Sequence, residues 1–226
     1  MHYAGPDMRP RIKHAFVFDS LGTLFQLAPV EERLGGAAQL DAWFERLLHS
    51  SLALTLAGEF HPFEELARST LKTTLARTGT RANADDVLAA LTAVPPYPDA
   101  GPALARLDDT GATIAVLANA SEETTHRLLE SGGLADRVVE TISAGDVELY
   151  KPHPAVYRHA EERIGLDAKR TTLITAHAWD VVGAKHAGWD AVWIDRLERE
   201  WSFPKGKPRK PVHGLEQAVQ FVVDRL

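Results

Sequence analysis

The sequence predicts an α/β fold: a parallel sheet with helices on both faces, and a helical cap inserted into it. Three observations predict it. Short apolar runs alternate with helical stretches through most of the chain. One segment, residues 28–94, breaks that alternation and carries apolar residues only at helical spacing. Polar residues fall just after the strand-like runs, on the rim where open parallel sheets bind ligands.

Taken in chain order, residues 14–18 form the first apolar run, with the unbroken hydrophobicity of a strand buried on both faces. Comparable runs lie at 113–117 (T-I-A-V-L), 138–142 (V-V-E-T-I), 172–175 (T-L-I-T) and 191–194 (A-V-W-I). Helical stretches at 101–107, 122–130, 154–164 and 181–187 separate them, and such alternation implies a parallel sheet. Within 28–94, Leu40, Trp43, Phe44, Leu47, Leu48 and Leu52 recur at helical spacing, as do Phe63, Leu66, Leu71 and Leu75; a third short helix is expected at 85–91. The segment P-P-Y-P-D-A (95–100) places three prolines in four positions and marks a boundary. The expected domains are therefore a core of residues 1–25 and 97–226 and a cap of residues 26–96.

The 226 residues suffice for a substantial core. A net charge of -6 argues against a general nucleic-acid binder, which needs a basic face. No apolar stretch reaches the length of a membrane span, and the opening M-H-Y-A-G-P-D-M-R-P has no signal-peptide core. The absence of cysteine removes thiol chemistry and fits a cytoplasmic protein. Ten histidines raise a metal hypothesis, but none has H-E-x-x-H spacing, and no metal or cofactor is expected. The basic run at 204–211 reads as a solvated connector.

Four polar positions carry the candidate chemistry. Asp19 ends the first strand in V-F-D-S-L-G-T-L-F, either as a turn cap or as a carboxylate nucleophile. Gly22 supplies the freedom for the turn, and the Thr23 hydroxyl can fix the carboxylate. Asn119, in L-A-N-A-S, is either a helix cap or an amide donor to an anion or leaving group, and Ser121 could serve as the cap instead. Lys151, in L-Y-K-P-H-P-A-V-Y, sits before a helix that starts at Pro154, where its ammonium can hold a carboxylate ionised. Tyr157, three residues into that helix, is either a packed aromatic or a member of the same pocket. In T-A-H-A-W-D-V-V-G-A-K-H-A-G (175–188), His177 and Trp179 are expected in a loop over the site, with a helix opening at Asp180.

Together, D-S-L-G-T-L-F, L-A-N-A-S, Y-K-P-H-P-A-V-Y and A-W-D-V-V-G-A-K-H-A-G resemble, in order and over nearly the whole chain, the motifs of the haloacid dehalogenase superfamily. The resemblance implies a Rossmann-like core with a helical cap. It is nearest the 2-haloacid dehalogenase (type II) branch. Phosphatases of the superfamily carry a second aspartate two residues after the nucleophile and an acidic residue in the fourth motif for Mg²⁺. Leu21 and Ala176 stand at those positions here, and neither can transfer a proton or hold a hard cation.

For this chain the resemblance implies a small organic acid as substrate, no cofactor, and a homodimer. Asp19 would displace halide from a 2-haloalkanoic acid, with Thr23 and Lys151 positioning it. Asn119 would bind substrate or halide. Asp180, with Thr175 and His177 nearby, would orient the hydrolytic water, while Trp179 and Phe44 would exclude bulk water. The branch usually has an aromatic where Leu21 stands, a hydroxyl residue at Ala118, an asparagine at His177, and a cap arginine near Phe44, with Arg46 the nearest candidate here. Two other readings follow from these departures: a phosphatase with an atypical first motif, or a hydrolase of another carbon electrophile. A binding module that has lost turnover is a third.

Overall fold

Phe16 and Phe18 point to one side of the first strand and Val17 to the other, and all three are buried. That requirement places the strand at the centre of a sheet covered on both faces. The computed structural model describes residues 13–208 and 212–225. Residues 1–12, the end of the basic run at 209–211, and Leu226 lie outside the described residues.

Five parallel strands form the sheet: β1 (Ala15–Phe18), β2 (Thr113–Ala118), β3 (Glu140–Ser143), β4 (Thr171–Thr175) and β5 (Asp190–Trp193). Their order is β3-β2-β1-β4-β5. The chain leaves β1 in one direction to β2 and β3, then returns to its other side as β4 and β5. The carboxyl end of β1 is thus the point where the winding reverses, and a crevice opens there.

Helices α1 (Ala28–Leu34), α2 (Ala37–Ala57), α3 (Phe63–Thr78), α4 (Ala84–Leu91) and α5 (Ala100–Asp108) lie between β1 and β2. They are followed by α6 (Glu122–Ser131), α7 (Pro154–Ile164), α8 (Ala178–His186) and α9 (Leu215–Val223). On the Phe16 face, Leu104 of α5, Leu128 of α6 and Val219 of α9 join Ile114, Val116 and Ile174 of the sheet. On the Val17 face, Val156 and Tyr157 of α7 and Ala184 of α8 pack on Leu117, Ile142 and Leu173.

The inserted helices rest on the Phe16 side through Leu24, Phe25 and Leu27, which belong to the same apolar cluster as Trp43, Leu71 and Val87. Trp43 Nε1 donates to Ala67 O and Thr70 Oγ1, both at 3.2 Å, tying α2 to α3. The way in and the way out run side by side as a short antiparallel neck: Gln26 N donates to Pro95 O (2.9 Å) and Tyr97 N to Leu24 O (2.8 Å).

Several elements differ from the sequence reading. Helix α8 begins at Ala178, three residues before the expected start, because its first turn is packed and carries Trp179 and Asp180 inside it. Trp179 is therefore helical and not part of a loop. Helix α9 has no counterpart in the expectations, and β3 and β5 are each offset by one or two residues.

Candidate active site

Asp19 follows directly on β1, with its backbone N–H held by Ile174 O at 3.2 Å. The chain then turns within six residues, and Ser20 O accepts from the N–H groups of Thr23, Leu24 and Phe25. Gly22 takes φ +82° at this corner, and a Cβ there would lie 2.7 Å from Leu197 Cδ1 and 3.3 Å from His177 Nε2. The backbone angle favours glycine, and a Cβ there would in addition displace the Leu197 and His177 side chains.

The turn returns Thr23 to the carboxylate. Thr23 Oγ1 donates to Asp19 Oδ2 at 2.8 Å and itself accepts from Ala176 N at 2.9 Å. The other oxygen, Oδ1, accepts from Lys151 Nζ at 2.7 Å. Lys151 is fully buried, and its ammonium donates also to Asp180 Oδ2 (2.8 Å) and Leu117 O (2.9 Å). All three of its protons are used.

Burial by itself raises the Asp19 carboxyl. The Lys151 ammonium, His177 and the Thr23 hydroxyl outweigh it and hold the group below its ordinary value of 3.8. For Lys151, burial pulls the ammonium down, but Asp180 and Asp19 keep it above 10.5. The site therefore sets an ionised Asp19 against the Lys151 ammonium, which Asp180 also shares.

Asp180, in the first turn of α8, has no exposed surface. Its Oδ1 accepts from Tyr157 Oη at 2.6 Å. Burial, then the negative charge of Asp180, pushes the Tyr157 phenol well above its ordinary value, so it stays a donor. Asp180 reaches Asp19 only through Lys151. Tyr157 acts one step further back, as a packed aromatic that also orients Asp180. Helix α8 can approach this closely because Gly183 faces Pro152 and the Tyr157 hydroxyl, where a Cβ would overlap both.

Asn119 does not cap α6; Ser121 does, accepting from Thr124 N. Asn119 Oδ1 accepts from Lys151 N at 2.9 Å, which leaves its amide NH₂ as the donor on the cavity side. Thr175, fully buried, accepts from His177 N at 3.1 Å and orients that residue from below.

A cavity of ≈ 50 Å³ opens above Asp19 between the sheet rim and the inserted helices. Leu21, Phe44, Ala118, Asn119, His177 and Trp179 line it. His177 Nε2 lies 2.9 Å from Leu21 O and 3.5 Å from Asp19 Oδ2. Its ring is stacked against Trp179 (5.1 Å) and, more loosely, Phe44 (6.2 Å). Arg46 is not among the lining residues: it lies two positions from Phe44 on α2, off the face that looks into the cavity. Among the described residues, no Lys or Arg lines this cavity, and no group of three or more His, Cys, Asp or Glu gathers as a metal site.

Sequence reasoning missed several members. Ser20 lines the cavity, and its buried hydroxyl has no hydrogen-bond partner among the described residues; its place beside Asp19 was the available signal. Tyr150, next to Lys151, also lines the cavity, and its hydroxyl donates to His61 O at 2.7 Å. Glu198 accepts from Ala178 N at 3.0 Å at the start of α8, and burial pushes its carboxyl up; nothing in its local sequence announces this.

A model of the haloacid dehalogenase-like hydrolases matches residues 13–188, which contain every motif residue described above. The chain belongs to that family. Within the family, this hydrolase is 28% identical over 218 residues to (S)-2-haloacid dehalogenase 1 of Pseudomonas sp. (strain CBS-3), covering 92% of this chain and 96% of the relative. It is 31% identical over 195 residues to (S)-2-haloacid dehalogenase 4A of Burkholderia cepacia, covering 80% and 83%. The L-2-haloacid dehalogenase structure from Xanthobacter autotrophicus superposes on this hydrolase with a TM-score of 0.84 at 25% identity, covering 94% and 99%. The hydrolase sits in the 2-haloacid dehalogenase branch.

Proposed function

We propose that this hydrolase is a metal-independent 2-haloacid dehalogenase that uses Asp19 as a covalent nucleophile. One observation carries the reading: an ionised, buried carboxylate, ion-paired to Lys151, faces an apolar cavity with no neighbouring proton donor at position 21.

In the first step an Asp19 carboxylate oxygen attacks C2 of the 2-haloacid. The new C–O bond forms as the carbon–halogen bond breaks, and halide leaves with the bonding pair. Asp19 becomes a neutral ester, while Lys151 and Asp180 remain a balanced pair. In the second step water adds to the ester carbonyl, the acyl C–O bond breaks, and a 2-hydroxyacid, a proton and the Asp19 carboxylate are released. Lys151 and Thr23 hold Asp19 in one orientation, and the amide of Asn119 is placed to donate to substrate or halide. Asp180, through Lys151, and Thr175, through His177, position the groups that meet the water. His177 is the cavity residue nearest Oδ2 with acid–base capacity. Trp179 and Phe44 exclude bulk solvent, which strengthens every charge interaction inside.

The test is halide release from a panel of 2-haloacids in the presence of a chelator. It is paired with a single turnover in H₂¹⁸O, which is expected to place ¹⁸O in the Asp19 carboxylate. Release that requires added Mg²⁺, or ¹⁸O found only in the product, overturns the reading. A hydrolase of another carbon electrophile is the second reading, favoured by Ala118 and by a cavity lining without Lys or Arg.

The same proposal divides the chain into a core of residues 1–25 and 97–226 and a cap of 26–96, supported by the hydrogen-bonded neck at Gln26 and Tyr97 and by α5 packing on β2 and α9. It includes a homodimer formed through the inserted helices, supported by Leu56, exposed at the end of α2. It also includes a cytoplasmic location, supported by a chain free of cysteine. Among the described residues, no helix is long and apolar enough to cross a membrane.

A further inference from the structure

We propose that this enzyme acts best on 2-haloacids whose alkyl chain is longer than a few carbons, and that the chain lies in a second cleft beside the catalytic cavity. The inference rests on the dehalogenase reading and names its substrate class.

The cavity above Asp19 is small, ≈ 50 Å³. A cleft of ≈ 450 Å³ adjoins it, between α3 and α4 on one side and α6 on the other. Leu21, Phe63 and Ala120 line both spaces, so apolar side chains form the wall that the two share. Ala67, Leu88, Leu91 and Leu128 continue the apolar lining outward from this wall.

Most polar groups of the cleft are already partnered, and Glu65 stands at its exposed edge with His61 Nδ1 at 3.9 Å. Glu64 accepts from Ser121 Oγ (2.7 Å) and Thr124 Oγ1 (3.0 Å), and Arg68 is ion-paired to Asp85. What remains next to the wall shared with the cavity is hydrocarbon, which suits an alkyl chain and not a second charged group. A third space, ≈ 550 Å³, touches the cavity on the Trp179 side, but four carboxylates (Glu31, Asp41, Glu45 and Glu198) line it and no Lys or Arg does. The halogen-bearing carbon must sit over Asp19, so the alkyl tail is directed to the cleft whose lining continues as hydrocarbon from the shared wall. Leu21 stands in the shared wall two residues from the nucleophile, which makes it a specificity-determining position as well as a cavity residue.

The experiment compares kcat/KM for the (S)-2-chloro acids from propionate to octanoate, using the intact enzyme and Ala89→Trp. Ala89 is exposed on α4 and lines the cleft but not the catalytic cavity, so the variant fills the cleft without disturbing the core. In the wild type, kcat/KM is expected to rise about three- to fourfold for each added methylene until the cleft is filled. Ala89→Trp is expected to abolish that rise while leaving the propionate value unchanged. A flat or falling dependence on chain length in the wild type overturns the proposal, as does a rise that survives Ala89→Trp. Absence of turnover on every acid, propionate included, overturns the dehalogenase reading itself and is told apart by the short substrate.

Discussion

At the scale of single residues, the site depends on a buried ammonium shared by two carboxylates. Replacing Lys151 with Met leaves Asp19 and Asp180 buried and unpaired; the expected loss is about 3–5 kcal/mol of stability, read from urea melts. Asp19→Asn keeps the shape and removes the nucleophile, and halide release is expected to fall by a factor on the order of 10³–10⁶ with little change in fold.

The pH dependence has two signs. The folded Asp19 carboxyl lies below its ordinary 3.8, so its stabilising contribution is complete above that value and is lost as pH falls through the lower folded value. The folded Lys151 lies above its ordinary 10.5, so its contribution is complete below that value and is lost as pH rises through the higher folded one. Between these limits neither Asp19 nor Lys151 gains or loses a proton. The acid limb of kcat/KM assigned to Asp19 is therefore expected below pH 3.8 under rapid assay; a limb at or above that value contradicts the ion-pair account.

At the scale of elements, α8 is the critical packing unit, because it carries Asp180 and Trp179 in one turn and lies against Pro152 through Gly183. Gly183→Ala forces a methyl into Pro152 and the Tyr157 hydroxyl, with an expected cost of about 1–3 kcal/mol in thermal or urea unfolding and a drop in kcat as Asp180 shifts. Helix α3 is attached differently. Glu64 accepts from Ser121 and Thr124 at the start of α6, and despite burial those bonds hold its carboxyl below the ordinary value. Glu64→Ala is expected to cost about 1–2 kcal/mol and to raise KM more than it lowers kcat, because it releases the inserted helices from the rim. A pure kcat loss would show that this contact does not govern closure.

At the scale of the whole molecule, the inserted helices close over the point where the sheet's winding reverses, and ligand binding should be felt chiefly on their side of that gap, because the buried central strands are already protected. Saturating 2-hydroxyacid product is expected to slow amide exchange in α2 and at the start of α3, with β1 and β4 unchanged, in hydrogen-exchange mass spectrometry. Uniform protection across the chain would argue that the helices do not act as a cap. The dimer belongs to this scale too: light scattering is expected to give twice the chain mass, and Leu56→Lys to lower it toward that of one chain.

Much of this was legible in the chain. Short continuous apolar runs alternating with helical stretches fit strands covered on both faces, so the parallel sheet, the helical interruption and the rim bearing Asp19, Asn119, Lys151 and Asp180 follow from local pattern. The Gly22 turn that returns Thr23 to the carboxylate is local as well. Tertiary structure decided what depends on distance across the fold. It placed Asp180 behind Lys151, brought Glu198 to the start of α8, left Arg46 off the cavity, and set Ser20 and Tyr150 in the lining. It also put an apolar cleft against Leu21. The physical reason is that burial and hydrogen-bond partners are made by elements far apart in sequence. Periodicity says which face of a helix is apolar, but not which carboxylate or hydroxyl the packed chain will bring to meet it.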